Sequence, residues 1–202
     1  MIIEWFLFLP AVLLLLFPGD RLMGPQVELF NFDRGNNRSA GQNRLRWVYV
    51  RWLEPLRAFG GAFALKLSLP LTTDLWRYVS VEAYWLFVVL LLVGLIAQMP
   101  TGREEGALLA PVGYMIGLLF ALLPWPMAAV GIVSGVTGLF AFRLLPGFFG
   151  FTGAVVGLVG LLFKFPPMWL IPAVGLLFVP VFAGLLTGRT LESPLPADTK
   201  TT

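Results

Sequence analysis

Cysteine and histidine are both absent from this chain of 202 residues. Without cysteine there are no disulfides, thiolate nucleophiles or iron–sulfur ligands, and without histidine the commonest zinc sites and histidine-ligated haem are excluded. The missing imidazole also removes the side chain most often used as a general base near neutral pH. Charge is scarce as well: 12% of residues are charged, against roughly 25% in soluble domains. No Gly-rich phosphate loop, Ser/His/Asp set or metal-spaced cluster is present. The one acidic pair, Glu104-Glu105 beside Arg103, reads as a solvated turn. No catalytic residue, metal or cofactor is therefore expected.

What is present is apolar. Hydrophobic residues make up 58% of the chain, more than a soluble globule of this size can hide. The expected fold class is an all-α integral membrane protein, a polytopic bundle of about six transmembrane helices with a cytoplasmic interfacial loop region. Residues 1–17 read as an N-terminal anchor. A cleaved leader fits poorly, because Glu4 stands where positive charge belongs and no A-x-A site follows. Spans are expected near 81–99, 107–123, 127–142, 147–163 and 168–187, with a polar tail at 189–202. The run from Ala83 to Gly102 is free of charge and about 30 Å long as helix, which matches a hydrocarbon core. Pro124-Trp125-Pro126 divides the next apolar stretch; two spans joined by a tight turn are expected there, with a re-entrant hairpin as the alternative.

Between these parts lies the basic, aromatic region 18–80, which carries nine of the 14 basic residues. Pro18-Gly19, Gly24-Pro25 and the polar run Asn31 to Asn43 read as loop. Residues 44–59 mix Arg44, Arg46, Arg51 and Arg57 with Trp47 and Trp52, a composition suited to the membrane interface. They are expected to form an interfacial helix, with a solvated helix packed on its own bundle as the competing reading, and Pro55 should bend or end it. Leu65, Leu67, Leu69 and Leu71 alternate strictly, which indicates an extended segment along an apolar surface. These residues, with Trp76 at the entry to the next span, are the expected contacts to anionic lipid headgroups or to a partner.

Six spans put both termini on one side. The distribution of basic residues then places the 18–80 loop in the cytoplasm of a bacterial-type inner membrane. Nucleic acid is not an expected partner, since no binding motif accompanies the charge.

Glycines supply the packing signal. Gly113 and Gly117, Gly131 and Gly135, and Gly153 and Gly157 each set two small residues on one helix face, and Gly138 and Gly160 extend the last two faces. In lipid, close backbone approach of this kind holds helices together. Gly131, Gly135 and Gly138 recur at a constant offset as Gly153, Gly157 and Gly160, through duplication of a helix or through the abundance of glycine. The 127–142 and 147–163 spans are expected to form a tight antiparallel hairpin. The function these features suggest is a non-catalytic membrane subunit that scaffolds a larger assembly, of other subunits or of further copies of itself. The alternative is a small-solute channel or carrier built on the glycine-rich helices.

Overall fold

The structure, a computed structural model, describes residues 3–18, 27–30, 44–71, 80–100 and 107–196, with the backbone alone described at 27–30, 44–51, 107 and 192–196. Its described residues form seven helices: α1 (Trp5–Leu16), α2 (Arg44–Ser68), α3 (Val81–Gln98), α4 (Val112–Leu122), α5 (Trp125–Phe142), α6 (Leu145–Leu162) and α7 (Pro167–Thr187). Three short strands accompany them, β1 (Val27–Phe30), β2 (Ala107–Leu109) and β3 (Thr190–Pro196). Proline marks the starts of α5, α6 and α7, where its fixed φ suits a first turn whose N–H groups lack intrahelical acceptors. At α3, Ser80 accepts a hydrogen bond from the Ala83 N–H at 3.2 Å, and Glu82 follows in the first turn.

Consecutive helices run in opposite directions. The Glu4 N–H, just ahead of α1, donates to the carbonyl of Ser68 at the end of α2 at 3.1 Å. The Tyr84 hydroxyl, early in α3, donates to the carbonyl of Met168, early in α7, at 3.0 Å. All three strands therefore gather at the end of the bundle where α1, α3 and α7 finish. We call this the sheet end. Strand order is β1-β3-β2, with β1 antiparallel and β2 parallel to β3. Pro194 and Pro196 fall in the half of β3 that pairs only with β1, so their missing N–H groups cost no ladder bond on the other edge.

By length and composition, α5, α6 and α7 are long and apolar enough to cross a membrane; Trp5–Leu16, Val81–Ala97 and Val112–Leu122 are apolar but shorter. Only 28% to 39% of each long stretch is buried inside the bundle, so most of its apolar surface faces outward. The core lies where α1, α2, α3 and α4 meet, around Leu15, Leu65, Phe87, Leu91, Tyr114 and Leu118, and it continues to Leu176 and Leu177 of α7.

Several expectations are corrected. The helix expected over 44–59 runs further, because α2 is a 25-residue helix that continues through Pro55 to Ser68. It packs one face against α1 and α4 and leaves the opposite face exposed. The Leu65–Leu71 alternation is not extended, since helix runs to Ser68. Leu65 and Leu69, four residues apart, are buried, whereas Leu67 points outward. In a helix, residues two apart lie on opposite faces, and where both faces are apolar an alternating run of leucines does not identify a strand. The 107–123 segment begins as β2 and becomes helical only at Val112. The two ends of the described chain also differ from expectation: the start of α1 and strand β3 lie at opposite ends of the bundle.

Candidate functional site

A polar cluster sits inside the bundle toward its sheet end, drawn from four helices. Helix α1 ends there with carbonyls that have no helical partner, as every helix end does. Arg57 of α2 donates through Nη1 to the Leu14 carbonyl at 2.7 Å and also to the Phe17 carbonyl, and through Nη2 to Gln98 Oε1 at 3.0 Å. Gln98 of α3 turns its amide toward the same helix end, with Nε2 3.2 Å from the Leu15 carbonyl and 3.0 Å from that of Phe17. The Tyr114 hydroxyl of α4 donates to the Leu15 carbonyl at 3.4 Å, and the guanidinium carbon of Arg57 lies 5.7 Å from the Tyr114 ring centroid. Side chains from three other helices thus cap α1. Charge-assisted bonds make this a strong cap.

Glu54 lies one helical turn before Arg57, and its carboxylate is hydrogen-bonded by the Tyr114 backbone. Its Oε1 is sequestered with no hydrogen-bond partner, as is Nε of Arg57. An unpartnered acceptor and an unpartnered donor in one interior cluster leave it able to take a further polar group. Helix α4 approaches this cluster closely. At Gly113 a Cβ would lie 2.7 Å from Glu54 Oε2 and 3.3 Å from Pro55 Cδ, and at Gly117 it would lie 2.8 Å from the Ala58 methyl and from the Phe59 nitrogen.

The other glycines divide by neighbour. Gly131, Gly135 and Gly138 of α5 face α6: their added Cβ atoms would meet Val156 at 2.5 Å, the Phe148 ring at 2.9 Å and the Gly147 carbonyl at 2.6 Å. Gly153 and Gly157 of α6 face α7 instead of α5, meeting Phe178 at 3.0 Å and Val174 at 3.8 Å. Gly160 sits between Leu170 of α7 and Met127 of α5. At the α5–α6 contact, the α6 side is Gly147 and Phe151 against Gly138, then Phe148, Thr152 and Val156.

The expected lipid or partner contacts separate in the same way. Leu65 and Leu69 are buried in the core, and Arg57, half-buried, is engaged by the carbonyls that end α1. Trp52 and Leu67 are exposed. Arg44, Arg46, Trp47 and Arg51 lie on the first two turns of α2, where the backbone alone is described, and Trp76 and the Glu104-Glu105 pair lie outside the described residues.

Comparison of the chain with known proteins returns no matching family model, no matching curated protein and no matching solved structure. The polar cluster escapes the sequence pattern because its members come from four separate segments. The available signal was Glu54 and Arg57 at helical spacing, beside two polar residues, Gln98 and Tyr114, in otherwise apolar spans.

Proposed function

We propose that the chain is a non-catalytic integral membrane subunit that scaffolds a larger assembly, crossing the bilayer seven times. The apolar outward surfaces of α5, α6 and α7 support the membrane location. The alternating direction of all seven helices supports seven crossings in place of six. Helix α2 would be about 37 Å long, enough for a crossing plus two basic turns in the headgroups.

The observation that carries the scaffold reading is the outer face of α2. Trp52, Leu56, Phe59, Phe63 and Leu67 form an exposed stripe at helical spacing, with the Phe59 and Phe63 rings stacked at 5.7 Å. Gly60 lies within that stripe, and a Cβ added there would meet nothing within 4 Å. A ridge of large side chains with an open glycine notch suits a partner helix, whose backbone can approach closely there. A photo-crosslinking residue placed at Gly60 should capture a protein partner, another subunit or a second copy, in native membranes. Gly60→Leu should release that partner in mild detergent without unfolding the chain. A chain that crosslinks only to lipid at this position would overturn the reading.

A second reading, a small-solute carrier, is favoured by the unpartnered Glu54 and Arg57 atoms in the interior, since transport sites in membrane proteins are built from such groups.

A further inference from the structure

A cleft of about 370 Å³ opens at the sheet end, between the α5–α6 turn and the junction of α7 with β3. Arg143 and Arg189 line it on the polar side, and Leu144, Val181, Leu185 and Leu191 form its apolar wall. Both arginines are solvent-exposed, and neither has a carboxylate partner among the described residues. Leu144 and Leu185 are exposed too, at 44% and 73%, so the apolar wall runs out onto the surface of the bundle. An occupant must offer an anionic head to two guanidinium groups and a hydrocarbon chain to the leucines.

The backbone adds an independent point. Arg143 caps α5 in the left-handed region, with φ 53°. Glycine holds that conformation with no Cβ clash and caps α7 in the same way at Gly188. An arginine there is strained relative to glycine, and it places a guanidinium at the cleft. Lys164 occupies the same backbone region, φ 50°, after α6 at the opposite end of the bundle, and it is not part of the cleft.

We propose that this cleft binds one anionic phospholipid, its phosphodiester held by Arg143 and Arg189 and an acyl chain lying along Leu144, Val181 and Leu185. The inference rests on the membrane reading above and assigns a site apart from the basic start of α2. Guanidinium groups recognise phosphate through paired, charge-assisted hydrogen bonds. The described basic residues also stand mostly toward the sheet end, with Arg44, Arg46, Arg51 and Arg57 on the first half of α2 beside Arg143 and Arg189, as expected of a side facing anionic lipid.

Native mass spectrometry of the full chain in mild detergent tests the site, with phosphatidylglycerol and phosphatidylcholine of matched acyl chains offered together. The expected result is one retained phosphatidylglycerol per chain, about tenfold preferred, since each charge-assisted contact is worth of that order. Arg143→Gly relieves the left-handed strain, so it should fold at least as well as the parent while losing the preference. Arg189→Gln should lose it independently, and Lys164→Gly, which relieves the same strain away from the cleft, should keep it. Equal retention of the two lipids, or a preference that survives both arginine variants, would overturn the proposal. So would displacement of the lipid by an excess of inorganic phosphate, which would make the cleft a site for the free anion. Resistance of the chain to alkaline extraction from membranes is read separately. A chain that is extracted fails the membrane reading, whereas a retained chain without lipid preference fails the cleft alone.

Discussion

Arg57 does at one point what several caps do elsewhere: a single guanidinium reaches two carbonyls of α1 and the Gln98 side chain of α3. Glu54, one turn earlier, contributes no such bond through Oε1, so the two members of the pair differ in role. On the scaffold reading, Glu54→Gln keeps an acceptor for the Tyr114 backbone and should change stability by no more than about 1 kcal/mol, with nothing else lost. On the carrier reading, the same variant should abolish solute flux in reconstituted liposomes at unchanged stability. A wild-type chain that passes no ion or small solute in liposomes removes the carrier reading. The scarcity of charge was plain in the sequence, but the destination of these two side chains was not. Position 57 reads as basic and interfacial until the end of α1 is brought beside it.

Among the elements, α5 and α6 make the tightest pair. The Cβ of any residue at 135 would fall on Thr152 and 2.9 Å from the Phe148 ring. Gly135→Leu should therefore cost roughly 1–3 kcal/mol or more, through overpacking of a closed contact. Unfolding of the purified chain in a mixed-detergent titration measures this. Gly150→Ala, where a Cβ meets nothing within 4 Å, should instead gain up to about 1 kcal/mol by removing helix-interior glycine. Equal effects at the two positions would mean that the α5–α6 contact is not glycine-limited.

At this scale the sequence was most legible where proline punctuates apolar runs, because proline both ends one helix and suits the first turn of the next. It was least legible in α2. There Pro55, four arginines and alternating leucines all argue against a long buried helix. The carbonyls of α1 take up Arg57, Gly113 and Gly117 of α4 admit the turn around Pro55, and apolar surroundings on both faces suit the leucines.

For the whole molecule, the arrangement of helix ends redistributes the charge. Among the described residues, Arg44, Arg46, Arg51, Arg57, Arg143 and Arg189 stand toward the sheet end, and Lys66 and Lys164 toward the other. That opposite end is aromatic: the Lys66 Nζ lies 4.3 Å from the Trp169 ring centroid, and Trp85 and Trp125 are exposed around it. On the membrane reading proposed above, this asymmetry predicts a cytoplasmic sheet end, with the start of α1 outside. Reporters fused at Met1 and Thr202 should therefore read opposite compartments, Thr202 in the cytoplasm. Matching readouts would restore an even number of crossings and remove α2 from the membrane.

The three-stranded sheet also sets an order in time. Strand β1 follows the first helix and β2 precedes the fourth, yet each finds its partner only in β3, which follows all seven helices along the chain. During synthesis neither early strand can make its pairing with β3 until the last helix has been translated. The final segment is thus a clasp across two distant connections, and a chain cut short before Thr190 lacks both pairings.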